Sequence, residues 1–515
     1  MSVVGFDLGC QFSKVAVAHR KKIQVVPNEL TKLLTPTLTA FSDRERFFGD
    51  GALTQYNRNY KNTIAQIKRW LGRKADDPKI QEDAQFWLPG VTTGALPDGR
   101  FGISVETSQG QAMFAPEQIL SGFLGQLKKF TKGFLEGLKV TDCVIACPSY
   151  FDDAQRRALL TAAKLAELKV LRLLEETTAV ALNYGILRNL PENETQRVVF
   201  FDFGYASTQV AIVDFIKGKL SVRYKSANPF MGGRDIDRSM YEHFRKQWQE
   251  KYNVDINTLP KQKLKLIRAC EKIKKLLTGN KDAHWTLDCF HDDHDFNLVI
   301  TREEMEKYAT DLKIYDGMLE PLVEALEATK DDKVKIHSCE IIGGPSRVAS
   351  VQQKVLEVMQ KYEPEIKALS TTLNGDECVA RGCALMCAML SPNFRVKEFQ
   401  VQDILTWPIT ISYPTEKQAD QKIIEQLIMQ RGNPQPCTAK VMFNKTQNFV
   451  FKLQHPEEYK TKDATVNVEY PMKTNLNIGE FNVQLLPLSE KAVQPPKIKL
   501  LLDINKQGLL DWPKA

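Results

Sequence analysis

The sequence predicts an internally duplicated α/β domain over residues 1–390 followed by an all-β domain, and three observations carry that prediction. Strand-like and helix-like segments alternate up to about residue 390, the texture of α/β folds. One pattern occurs twice: Phe6-Asp7-Leu8-Gly9-Cys10-Gln11-Phe12-Ser13-Lys14-Val15-Ala16-Val17 lines up with Phe201-Asp202-Phe203-Gly204-Tyr205-Ala206-Ser207-Thr208-Gln209-Val210-Ala211-Ile212. Beyond Ser391 the segments are short, alternate apolar with polar residues and are separated by Pro- and Gly-bearing loops.

The elements follow in order. Residues 3–8, 15–18 and 23–26 read as strands, with an Asp-x-Gly turn after the first. Residues 115–138 have a long helical pattern, and 142–147 form a buried strand stopped by Pro148. Asp152 is placed to cap a helix running to Leu168, with Leu159, Leu160, Ala163 and Ala166 on its apolar face. The second Asp-x-Gly hairpin follows, then a glycine pair, Gly232-Gly233, after another strand. Residues 261–277 are a basic amphipathic helix. Residues 334–342 form a strand that runs into Gly343-Gly344-Pro345-Ser346-Arg347 and a helix through Met359. In the last domain, 439–443, 449–453 and 497–504 read as strands.

Composition narrows the function classes. A net charge of +7 on 515 residues is too mild to mark a nucleic-acid surface, and no run approaches the ~18 apolar residues of a membrane span. Ten cysteines without a Cys-x-x-Cys pair suit a reducing, cytoplasmic setting. Cys289-x-His291-x-x-His294, with its neighbouring aspartates, has the composition of a metal site but reads better as a solvated turn between two strand-like segments, 285–289 and 296–300.

A single Asp-x-Gly turn is common in ordinary hairpins. Duplicated, it can clamp one nucleotide tail from two sides: the glycine lets backbone N–H groups approach phosphate, and the carboxylate can hold a hydrated Mg²⁺. The glycine pairs at 232–233 and 343–344 complete a split phosphate-and-adenosine site, with Arg347 placed to stack on a base.

The order of these motifs, with Asn62-Thr63-Ile64-Ala65-Gln66-Ile67-Lys68-Arg69, Cys147-Pro148-Ser149-Tyr150-Phe151 and Glu176-Thr177-Thr178-Ala179, resembles the 70-kilodalton heat-shock chaperone superfamily, and Leu373-Asn374-Gly375-Asp376-Glu377 and Arg381-Gly382-Cys383 its divergent 110-kilodalton branch. The resemblance implies an actin-like ATPase domain (1–390), a linker (391–402) and a β-sandwich substrate-binding-like domain (403–515). It implies ATP and Mg²⁺ as cofactors. Asp7, Glu176 and Asp202 would surround the metal's water shell, and Lys68, Glu176 and Asp202 would carry whatever hydrolysis remains. Gly9, Cys10, Gln11, Lys68, Gly204, Gly232 and Gly233 would line the phosphate side, and Glu271, Lys274, Lys275, Thr278, Gly343, Gly344, Ser346, Arg347 and Asp376 the adenosine side.

Departures from the family pattern bear on activity. Conventional members carry two threonines where Cys10 and Gln11 stand, and a Gly-rich turn followed by Thr and Asp where this chain has Tyr205, Ala206 and Gln209. Arg234 replaces a position that is acidic in many relatives, and the connector 394–403 is polar, without a leucine run, which predicts weak nucleotide-dependent docking. The expected function is an ATP-binding co-chaperone with weak or absent ATPase activity, acting as nucleotide exchange factor and holding chaperone for a conventional 70-kilodalton relative and binding unfolded polypeptide, with no nucleic acid or membrane partner. An autonomous foldase and a sugar-kinase-like enzyme are the alternatives. The sequence stops at Ala515, before the acidic segment and helical lid that the branch carries next.

Overall fold

The computed structural model describes residues 3–20, 22–392, 394, 396–415, 423–445, 447–460, 467–469, 476–485 and 497–511. Two sheets of like topology build two lobes. In lobe I the strand order is Lys169–Glu175, Asp142–Cys147, Val3–Asp7, Phe12–His19, Lys22–Val25, the first three parallel and the last two antiparallel. Lobe II repeats the scheme with Ile336–Ile342, Gln196–Phe203, Thr208–Ile216 and Lys219–Asn228. Val3–Asp7 is buried throughout and Gln196–Phe203 is buried after its first residue, as expected of strands covered on both faces. The helices Glu176–Ile186 and Cys378–Leu390 meet so closely that a Cβ on Gly382 would lie 2.0 Å from the Ala179 carbonyl oxygen.

Strands expected over 142–147 and 497–504 are found at those bounds. The helix after Asp152 is Asp153–Leu165, and the cap is real: Asp152 Oδ1 accepts the Gln155 N–H at 2.8 Å. The long helix is shorter than its pattern, Pro116–Phe134, with Pro116 in the first turn, where its missing N–H costs nothing. After the glycine pair 343–344 comes a short turn, Gly344–Arg347, and the expected helix follows as Ala349–Tyr362. The basic helix is Pro260–Gly279.

The last domain is a β-sandwich. One sheet orders Ile423–Met429, Ile409–Pro414, Phe449–Gln454 and Asn477–Val483; the other orders Cys437–Asn444, Lys497–Ile504 and Leu510–Asp511. Ala439, Val441 and Phe443 point inward and alternate with exposed Thr438, Lys440 and Met442, the period-two pattern of a half-buried strand. Inside, Ile411, Phe451, Leu453 and Leu502 form the core.

The connector docks although it lacks a leucine run. Gln400–Ile404 adds to the lobe II sheet, parallel to Lys219–Asn228, and Pro434–Gln435 pairs on its other side. Strand pairing fixes its register, and Phe399 and Ile404 pack into the core beside it. No helix among the described residues is long and apolar enough to cross a membrane.

Candidate functional site

The duplicated hairpins face each other, and their strand ends carry the chemistry. Asp7 closes Val3–Asp7, Asp202 lies at the end of Gln196–Phe203, and Glu176 opens the helix Glu176–Ile186, where the positive end of the helix dipole favours a carboxylate. Lys68 sits on the turn Ile67–Arg69. All four side chains are buried.

Each acid has a different neighbourhood. Lys14 Nζ lies 2.9 Å from Asp7 Oδ2. Lys68 Nζ lies 2.6 Å from Glu176 Oε1, and the other oxygen of Glu176 accepts from Gln209 Nε2 at 2.5 Å. Burial alone would depress Lys68, but the Glu176 carboxylate outweighs it and holds the ammonium above the ordinary lysine range. Asp202 forms no ion pair among the described residues: burial, reinforced by the Glu176 charge and only partly offset by Lys68 and Lys14, pushes it up to about 7.

Three buried carboxylates answered by the ammonium groups of Lys14 and Lys68 suit a divalent, oxygen-seeking cation. Among the described residues no group of three or more His, Cys, Asp or Glu side chains is placed to hold a metal directly; Mg²⁺, which the heat-shock chaperone pattern implies, would be held here through its waters. Asp202, Asp7 and Glu176 would hold those waters, and the ion would supply charge neutralisation beside the phosphates. Cys289, His291 and His294 lie about the tip of the hairpin Asp282–His291/His294–Thr301, where His291 pairs with Asp292 at 3.2 Å.

The glycine turns are backed by backbone. The Gly233 N–H donates to the Gly204 carbonyl and the Arg234 N–H to the Tyr205 carbonyl, at 2.9 and 2.8 Å, which sets Gly232-Gly233 against the second turn. Gly343 has φ +87°, and a Cβ there would meet the Phe203 carbonyl oxygen at 2.2 Å; only glycine fits this junction. Ser346 Oγ donates to the Gly343 carbonyl, and Arg347 pairs with Asp376 at 2.5 Å at the rim. Gly344 begins that short turn. Cys10 is buried, and Gly9 joins it to the first strand.

Gln11 does something the sequence did not foretell. It reaches across the cleft and donates to Glu271 Oε1 at 2.6 Å. Glu271 also pairs with Lys275 at 2.5 Å, and although burial opposes it, Lys275 and Lys274 hold its carboxyl below the usual range. Lys274 is turned inward to Asp237 Oδ2 and the Gly233 carbonyl, at 2.8 and 2.7 Å, and Thr278 Oγ1 donates to the carbonyl of Lys274.

Arg234 ties the lobes together. Fully buried, it donates to Gln66 Oε1 at 2.5 Å and to both oxygens of Asp83 at 2.8 and 2.9 Å, and lies over the Trp87 ring at 4.7 Å. Arg69 bonds the same carboxylate. Despite burial, Arg234 and Arg69 hold Asp83 well below the usual carboxylate range.

A second buried cluster pins the connector. The Lys225 ammonium contacts Glu175 and Asp403, Thr178 Oγ1 donates to Asp403 at 2.9 Å, and Arg156 binds Glu175 at 2.7 Å. The β-sandwich adds Trp407 Nε1 to the Tyr150 carbonyl at 3.1 Å and Arg431 to Glu324 at 2.8 Å. Sequence reasoning assigned no role to Lys14, Gln66, Asp83, Lys225 or Asp403. The aligned repeat held the signal for Lys14, which occupies the place of Gln209; the others pair across lobes or domains, where spacing carries none.

The family profile described as "Hsp70 protein" matches residues 3–513. The chain is 37% identical over 508 residues to the 97 kDa heat shock protein of Mesocentrotus franciscanus, covering 98% of this chain and 54% of that protein. It is 34% identical over 522 residues to heat shock protein hsp88 of Neurospora crassa, covering 100% of this chain and 70% of that protein. To the human heat shock 70 kDa protein 4L it is 34% identical over 511 residues, 98% of this chain and 58% of that protein. The chain therefore spans little more than half the length of several of these relatives. It belongs to the Hsp70 family, whose members are ATP-binding ATPases, and sides with the 110-kilodalton branch.

Proposed function

We propose that this chain is an ATP-binding co-chaperone that works as a nucleotide exchange factor and holding chaperone for a conventional 70-kilodalton heat-shock chaperone in the cytoplasm. The carrying observation is Arg234: a buried guanidinium bonded to Gln66 and Asp83 of the opposite lobe holds the two lobes in one relative position. Such a clamp suits a protein whose closed form is itself the surface that grips a partner. Exchange then needs no catalysis by this chain, because contact energy that favours the partner's open cleft speeds its ADP release. ATP and Mg²⁺ serve as structural ligands, and the β-sandwich holds unfolded polypeptide.

Release of labelled ADP from a conventional 70-kilodalton chaperone tests this. Acceleration by the parent chain, reduced by Arg234→Ala, is expected. No acceleration at any concentration leaves only the holding activity.

A further inference from the structure

Gln209 stands opposite Asp202 in the second hairpin, and its side chain is buried between the lobes. Its Oε1 accepts both the Ser149 N–H at 2.7 Å and Ser149 Oγ at 2.9 Å, and its Nε2 donates to Glu176 Oε2. The Ser149 N–H can only donate, which fixes the amide's orientation and turns its NH₂ toward the carboxylate. The second oxygen of Glu176 belongs to Lys68. Both oxygens of that acid are therefore engaged by protein donors.

We propose that Gln209 is a positioning residue that keeps Glu176 from serving hydrolysis, so that this amide, rather than the mere lack of a carboxylate in the second turn, is the brake on the site. The inference rests on the reading of the cleft as an ATP site. In the hydrolytic step a water oxygen forms a bond to the γ-phosphorus, the bond from that phosphorus to the β–γ bridging oxygen breaks, and ADP leaves with the electron pair. The water's proton goes to the released phosphate, and orienting the water needs an acceptor with a free lone pair. Lys68 and Gln209 each take one lone pair of Glu176 and fix the plane of its carboxylate, so it is a weaker and less adjustable acceptor for that water. An acid at position 209 would still accept from Ser149 but would repel Glu176.

Two substitutions separate the clamp from the missing charge. Gln209→Ala frees Glu176 and adds no carboxylate; Gln209→Asp adds the carboxylate. ATP affinity is measured by calorimetry with and without Mg²⁺, beside single-turnover hydrolysis, with thermal melting to verify folding; Gln209→Ser replaces Gln209→Ala if the latter does not fold. The expected result for Gln209→Ala is hydrolysis raised at least about tenfold, ATP affinity in Mg²⁺ within about threefold of the parent, and a larger gain in affinity from Mg²⁺ because Glu176 is free to hold its waters. A purely structural role predicts loss of binding and no gain in rate. Hydrolysis unchanged in Gln209→Ala but raised in Gln209→Asp overturns the clamp and leaves the ATP reading standing. Absence of ATP binding by the parent overturns that reading and the clamp with it.

Discussion

The hairpin of lobe I, Val3–Asp7 with Phe12–His19, and the hairpin of lobe II, Gln196–Phe203 with Thr208–Ile216, share register and differ in charge. In the first, Asp7 stands opposite Lys14 and the two form an ion pair; in the second, Asp202 stands opposite Gln209, which turns away to Ser149 and Glu176. The turns differ as well: Gln11 in the first crosses to Glu271, while Ala206, its counterpart in the second, is buried against Gly232. A duplicated unit has thus kept its backbone and reassigned its side chains. Both copies reach across the cleft, the first through Gln11 in its turn, the second through Gln209 in its strand, and only in the first does the turn's aspartate keep an ion pair with the facing strand.

That contrast can be broken by substitution. The largest effect is expected for Lys14→Ala, which strands a buried carboxylate and should cost about 3–5 kcal/mol in urea unfolding, with much of the loss recovered when Asp7→Asn is added. A loss below about 1 kcal/mol would mean that the pair is not the stabilising feature of its hairpin. Gln209→Ala removes neutral and charged hydrogen bonds rather than an ion pair, so about 1–3 kcal/mol is expected in the same assay. Equal losses for the two variants would erase the distinction between the hairpins. The smallest effect belongs to Gln11→Ala, about 1 kcal/mol or less, because Glu271 keeps Lys275; its signature is faster amide exchange in the first turn without change in the second.

Much of this was legible in the sequence because backbone constraints write themselves locally. The Asp-x-Gly turns, the glycine pair at 343–344 and the Asp152 cap are each required by a few neighbouring residues, and the structure places them as read. The contacts among the candidate site residues were not legible. Lys274, assigned to the adenosine side, is bonded to Asp237 within its own lobe, a pair that the sequence did not announce. Arg234 and Gln209 were recognised as departures, but their partners, Gln66, Asp83, Ser149 and Glu176, lie far away in the chain. The connector's attachment was not legible either: it rests on strand pairing and on the buried Lys225, which no local pattern announces.

The central claim is that this cleft is built to hold ATP rather than to turn it over. Single-turnover hydrolysis, measured at saturating protein beside a conventional 70-kilodalton chaperone, tests it most directly. The account predicts tight ATP binding with hydrolysis at least about tenfold slower than the conventional protein; hydrolysis as fast as the conventional protein's would contradict it.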